Sequence, residues 1–554
     1  MNKVRLARWY AQIVRVFTPA LLASFACISL ANADSAFFSP GNLLLSRTVY
    51  DNNPNNVTVG QPLPPNCVVS SACTTATSDG TYPTVFNNVL VDGSFGVTAR
   101  IFLDQMTSAG DGVNSLEVPN SSQNGVPSTR DQLVTSFNSK SELALNLSTD
   151  HQYVTFLGYL APIDTLDASN SNTPGAVDPT NPVGENFFRA VARVDQEGKF
   201  KFTKTNAYSG NNGRAALLNN VGGDNFIYTA GNAGNGSNPQ PDSVILAAGL
   251  QIMDPQVKAL VAQDPGLPTP VGSFNITQVG YSADKIGKDT NFRGLTVFNN
   301  VLYTTKGSGS NGINTVYFVD TTGSACTNTN GQGVPGASAT LPASPIAYTG
   351  DLQMVGVFPY NMCILNGFNT LLAKNKLNVS FPFGIWFANA TTLYVADEGN
   401  GDNTFKNGIY TKAAAQTLAG LQKWIFNSNT GSWSLAYTLQ AGLNLGMPYT
   451  PVGTAGNNPT FPTGDNPATN LPWSPATDGL RNIIGVVDED GTATIYAITS
   501  TVSGLGDSAA DPNKLVVITD NINATALPTS ENFTTLRSAK SGEALRGISF
   551  TPGS

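Results

Sequence analysis

"NFRGLTVFNNVLYTTKGSGSNGINTVYFVD", residues 291–320, contains the spacing G-x-G-x-x-G at Gly307, Gly309 and Gly312. In a dinucleotide-binding fold such glycines open a helix whose N-terminus meets the pyrophosphate. Here they lead into "INTVYFVD", a β-branched and aromatic pattern that reads as a strand. Two further apolar runs joined by a tight turn precede them. The stretch is therefore three strands in succession, and the glycines serve the loop between the second and third.

The same template recurs loosely along the chain. "SELALNLSTDHQYVTFLGYLAP" starts at 141, "GRAALLNNVGGDNFIYTAGNAGNG" at 213, "FPFGIWFANATTLYVADEGNG" at 381 and "LRNIIGVVDEDGTATIYAITS" at 480, each followed by further strand-like runs. A sixth copy, "LRGISFTPGS" from Leu545, supplies one strand before the sequence ends. Its partners are found at the other end of the chain, in "GNLLLSRTVY" at 41–50, "VTARIFLDQM" at 97–106 and "SLEVP" at 115–119. One strand from the C-terminal end completing a blade built from the N-terminal end is how a β-propeller closes its ring and removes exposed sheet edges. The expected fold is an all-β, single β-propeller of six four-stranded blades, with seven blades as the alternative, spanning residues 34–554 as one domain. Helix should be scarce, its best candidate being "GIYTKAAAQTLAGLQ" at 408–422.

"TTLYVADEGNGDN" at 391–403 resembles the strand and turn of NHL-type propeller repeats, and "NNVLYTTKGSGSNG" at 299–312 is a looser version. The chain as a whole also resembles exported bacterial β-propeller proteins whose mature N-terminus carries a "PGNLLL"-type strand. Both resemblances imply the fold and bring no activity with them.

Residues 1–33 carry Lys3, Arg5, Arg8 and Arg15, then the apolar "VFTPALLASFACISL" and the small-residue exit "ANA". This is the pattern of a secretory signal peptide cleaved before Asp34. Cys27, preceded by "SFA", does not make a lipoprotein box. No later run of 18 apolar residues exists, so a soluble exported protein without a membrane span, secreted or periplasmic, is expected. The whole chain has 29 basic and 37 acidic side chains. Cleavage removes four basic residues and no acid, leaving 25 against 37 and a net charge of −12. Such a surface repels phosphate backbones and excludes nucleic acid as the main partner. Sequons such as "NVT" at 56 and "NLS" at 146 matter only in a eukaryotic secretory pathway.

Four of the five cysteines remain after cleavage. In an exported chain the local pairing Cys67 with Cys73 and Cys326 with Cys363 is expected, with free buried thiols as the alternative. One histidine and no C-x-x-C pair give zinc little to bind.

Most inserted length falls between second and third strands or between blades, including 51–96, 161–186, 457–479 and 499–514. In a propeller these connections share one face, which makes that loop-rich face and the channel mouth the expected working surface. Arg214, Arg293, Arg481 and Arg546 occupy matching positions at the start of the inner strand in four of six copies, with Glu142 and "FPF" in the others. Converging on the channel, they would form an anion site; the alternative is that each ties neighbouring blades together. Asp397, Glu398, Asn400 and Asp402 in "DEGNGDN" are hard oxygen ligands on one loop and suit Ca²⁺, although their spacing is not that of an EF-hand. "DEDG" at 488–491 reads as a turn. No G-x-S-x-G elbow exists, and His151 falls in a turn between strands, so a serine triad has no support. Phe381, Phe383, Trp386 and Phe387 are of the type that stacks on sugar rings, but an inner strand uses them for blade packing. Three functions follow: a binding protein for a small anionic, saccharide or protein ligand, a calcium-assisted hydrolase or lyase with its site at the channel, or a structural surface component.

Overall fold

A computed structural model describes residues 36–554 apart from 66, 68–72, 89–95, 128–129, 175–182, 206, 233–248, 256–271, 275–290, 308–310, 327–330, 344–360, 376–379 and 506–507. The expected leader at 1–33 lies outside the described residues. Residues 36–554 form one compact unit.

Six sheets, antiparallel except where the short Gln332–Gly333 strand pairs parallel in blade four, build a six-bladed propeller. The innermost strands of blades one to six are Glu543–Phe550, Asn146–Leu147, Gly213–Asn219, Phe292–Phe298, Pro382–Asn389 and Ala476–Val487. The ring closes in blade one, where Glu543–Phe550 pairs with Leu43–Val49, which in turn pairs with Thr98–Met106 and then Gly112–Glu117. The register runs from Leu43 opposite Phe550 to Val49 opposite Glu543. Blades one and four each gain a short fifth strand, Thr135–Ser136 and Gln332–Gly333. In the quoted stretch, Val301–Lys306 pairs antiparallel with Thr315–Asp320, so the glycines do serve a strand-to-strand loop. A β-carbon on Gly307 would overlap the carbonyl oxygen of Pro382, which explains that glycine by close approach of blade five. Of the helical candidate at 408–422 only Thr411–Ala414 is helical, because Gly420–Asn427 is recruited as the third strand of blade five.

Blades pack face to face through apolar residues. The largest cluster joins blades three, four and five through Leu217, Tyr228, Phe292, Leu302, Tyr317 and Leu393. Polar clips add to it near the axis. The Ser46 hydroxyl accepts from Gly547 N (2.7 Å) in its own blade and donates to Leu143 O (2.8 Å) in the next. Thr305 repeats the device, accepting from Gly294 N (2.8 Å) and donating to Phe383 O (2.5 Å), and Thr155 donates to Ala216 O at 2.7 Å. The Arg-Gly pairs at 293–294 and 546–547 follow from this packing, since a β-carbon on Gly294 or Gly547 would overlap the neighbouring inner strand at Phe383 O or Leu143 O.

The expected disulfides are present, Cys67 with Cys73 and Cys326 with Cys363. The second joins the connection after Thr315–Asp320 to the last strand of blade four. That connection, 321–360, is long but leaves the end of blade four opposite the second-to-third loops. Inserted length is thus not confined to one face. Among the described residues no helix is long and apolar enough to cross a membrane.

Candidate functional site

Each inner strand starts at the face carrying the second-to-third loops, and its first residues meet around the axis. The "DEGNGDN" loop of blade five organises the site. Asp397 ends the second strand and turns back on its own blade, accepting from Ser380 Oγ (2.6 Å), Phe381 N (2.6 Å), Gly399 N (3.0 Å) and Gln422 Nε2 (3.1 Å). Gly399 has φ +82°, and a β-carbon there would overlap the Asp478 carboxylate. The loop therefore wraps Asp478 of blade six, which accepts from Gly401 N (2.8 Å) and Gln416 Nε2 (2.6 Å). Asn400 and Asp402 accept from backbone two residues on, Asp402 N (2.9 Å) and Thr404 N (2.9 Å), in local turns at the surface. The four candidate oxygen ligands thus face different partners, and only Glu398 points to the axis.

Glu398, 2% exposed, receives Lys140 Nζ at 3.1 Å and Arg481 Nε at 3.4 Å. Lys140 stands at the entry to blade two, so this ion pair reaches from blade five to the opposite side of the ring. Arg293 of blade four similarly donates across to Ser141 Oγ of blade two and lies 5.7 Å from the Phe383 ring. Arg214 donates to Asn291 Oδ1 and to Phe292 O (2.8 Å) of blade four and to Asn212 Oδ1 (3.2 Å), while its buried Nε has no hydrogen-bond partner among the described residues. Arg546 donates to Phe137 O. Each arginine therefore does bind another blade or its connecting loop. At the same position in blade two, Glu142 accepts from Thr135 Oγ1 (2.6 Å), Ser136 N (3.0 Å) and Tyr159 OH (2.5 Å).

The charges act on one another. Burial alone would raise the Glu398 carboxyl, but Lys140, Arg293 and Arg481 outweigh it and hold it below the usual range. Burial, opposed by Glu398 and reinforced by Arg481, lowers Arg293 to about 10, still charged at neutral pH. Burial and then Arg293 depress Arg214. Burial lifts Asp478 to about 7 and Asp397 to about 6 against their hydrogen bonds. Burial also raises Glu142. Lys140 and Asp478 have no motif around them and were invisible to sequence reasoning. The only hint was position, Lys140 lying a few residues before the inner strand of blade two and Asp478 near the start of that of blade six.

Arg189 is a contrasting case. Fully buried, it gives its guanidinium to the carbonyls of Ser169 (2.7 Å), Ser171 (2.8 Å), Phe187 (3.0 Å) and Asn211 (2.9 Å), which holds the described part of the 161–186 insertion. His151 sits in the turn after Leu147, on the opposite face, with Nδ1 2.8 Å from Ser554 O. Asp320, Cys326 and Cys363 also lie close together. Both sulfurs are committed to the disulfide, and the Asp320 oxygens accept from Thr322 N and Ala325 N, each at 2.8 Å. That group lacks the thiolates a soft metal needs.

No family model matches the chain, and no curated protein matches it. Among solved structures, variants of the Synechocystis apocarotenoid oxygenase align at 8% identity and TM-score 0.22, covering 82% of this chain and 59% of theirs. The chain thus corresponds to about three-fifths of those proteins' length. A chain from an S. cerevisiae complex of dbp5 with nup159, gle1, IP6 and ADP aligns at 10% identity and TM-score 0.24, over 76% of this chain and 93% of that one. The NanB sialidase of Streptococcus pneumoniae aligns at 11% identity and TM-score 0.19. These likenesses carry no functional argument.

Proposed function

We propose that this chain is an exported binding protein, with its leader removed before Asp34, whose NHL-like blades hold a small anion at the loop-face mouth of the channel. One observation carries the reading. Arg214, Arg293, Arg481 and Lys140 gather about Glu398, with Glu142 as a second acid acting on Arg214, in a chain of formal net charge −8. A buried excess of positive charge favours an added anion, because Coulomb attraction strengthens as the local dielectric falls. Guanidiniums suit carboxylate or phosphate in particular, offering paired donors. Glu398 occupies the place an external carboxylate would take, so ligand and Glu398 compete for the same donors. Lys140, whose side chain is 38% exposed, leads from that place to solvent. A saccharide or protein on the surrounding long loops is the broader form of the same reading.

The test is a thermal melt of the mature protein with phosphate and small carboxylates added separately. A ligand that binds only the folded state at a hundred times its Kd adds about 2.7 kcal/mol. Glu398→Gln is expected to lower the melting point without ligand, since it strands three buried cations, and to enlarge the shift that anions produce. Arg293→Ala is expected to shrink that shift. If no anion shifts the wild type or Glu398→Gln, the reading fails. A calcium shift abolished by Asp397→Asn with Asp402→Asn would instead favour oxygen-ligated metal and a hydrolase or lyase.

A further inference from the structure

Each blade places a charged or aromatic residue at or just before the start of its inner strand, on the loop face, and an aliphatic one towards the opposite face. Leu147, Leu217, Val297, Ile385, Ile483 and Ile548, one from every blade, line a single axial cavity of about 790 Å³. Trp386 completes the wall. A β-carbon on Gly485 would lie 2.7 Å from its ring, so glycine there is what lets the indole rest against the inner strand of blade six. A smaller cavity of about 350 Å³ adjoins at Phe298 and the Asn299-Asn300 turn, walled by Phe387 and Trp433.

We propose that this axial cavity is a binding site for a small uncharged apolar molecule, separate from the channel arginines and independent of the anion reading. Its volume falls in the range of small-molecule sites, about 300–1,000 Å³, and its walls set these aliphatic and aromatic side chains beside polar ones such as Thr149, Asn219 and Asn300. Part of the polar capacity at the rim is used within the protein, while the buried Ser549 hydroxyl has no hydrogen-bond partner among the described residues. Asn146 Nδ2 donates to Ala216 O (3.0 Å), and Asn219 Nδ2 donates to Asp224 Oδ2 (3.0 Å). Recognition therefore rests on apolar burial rather than on charge. All six inner strands contribute to its wall, a recessed shape that suits a compact molecule better than a flat protein surface.

The test is titration of the mature protein with N-phenyl-1-naphthylamine, a neutral probe whose fluorescence rises in apolar surroundings. One saturable site per chain is expected, unaltered in Arg293→Ala, so that failure of the anion reading leaves this result intact. Val297→Phe and Ile484→Phe, the latter at a residue that also lines the cavity beside Trp386 and Gly485, are expected to fill the space and weaken the probe at least tenfold while melting like the wild type. Should either fail to fold, Trp386→Ala removes part of the wall and is expected to weaken binding as well. A non-saturable rise, or wild-type affinity in any of these variants that folds, overturns the proposal.

Discussion

At the scale of single residues, the channel mouth shows how burial and charge redistribute protons. Asp478 is almost fully buried and its carboxyl is raised to about 7, against an ordinary aspartate value near 3.9. The folded chain therefore binds that proton more readily than the unfolded chain between those two values. Stability from this group is present at low pH and lost as pH rises through about 7, with a slope approaching about 1.4 kcal/mol per pH unit for one proton. Urea unfolding at pH 5, 6, 7 and 8 is expected to give a smaller loss of stability with rising pH in Asp478→Asn than in the wild type. Equal slopes would mean that Asp478 ionises normally.

At the scale of the strand and its turns, the inter-blade clips explain residue choices that look arbitrary along the sequence. Thr305 has its hydroxyl buried between Gly294 N and Phe383 O. Thr305→Val keeps the shape of the side chain and strands both backbone groups, at a cost of about 1–3 kcal/mol. A fall of that size in the unfolding free energy from urea titration, with unchanged circular dichroism, is the expected result. No change would mean that the adjacent apolar packing alone fixes blades four and five. The same scale governs "DEGNGDN", whose glycines serve a loop that must pass close to Asp478.

At the scale of the whole molecule, the ring depends on strands from opposite ends of the chain. Arg47 donates to Asp104 (Nε at 2.6 Å) and to Glu543 (Nη1 at 3.0 Å), and Arg537 reaches Asp104 at 2.8 Å, so one charge network joins the closing strand to its partners. Burial would raise Asp104, but Arg47, Arg537 and Ser115 outweigh it and hold its carboxyl below the usual range. A depressed carboxyl stabilises the fold above its unfolded pKa and loses that contribution as pH falls through the folded value. Asp104→Asn is expected to cost about 1.5–3 kcal/mol at neutral pH, since it removes the charged acceptor of Arg537 and leaves Arg47 with Glu543 alone. The gap to wild type, measured by urea unfolding, should narrow towards pH 3; a constant gap would show that closure does not depend on this charge.

Strand periodicity, the recurring template and the split of blade one between the two ends were legible in the sequence, because alternating burial and ring closure are written in the order of apolar residues. So was the local cysteine pairing, and so was the shared phase of Arg214, Arg293, Arg481 and Arg546. Contacts across the ring were not legible. Lys140 meets Glu398, Arg293 meets Ser141, and one aliphatic residue from each blade meets at the axial cavity, between positions far apart in the chain. The "DEGNGDN" oxygens look like a ligand set in sequence, yet most are claimed by donors from the backbone and from Ser380, Gln422 and Thr404. Sequence spacing sets which residues share a strand face; only the closed ring decides which faces meet, because those partners are brought together by the curvature of all six blades at once.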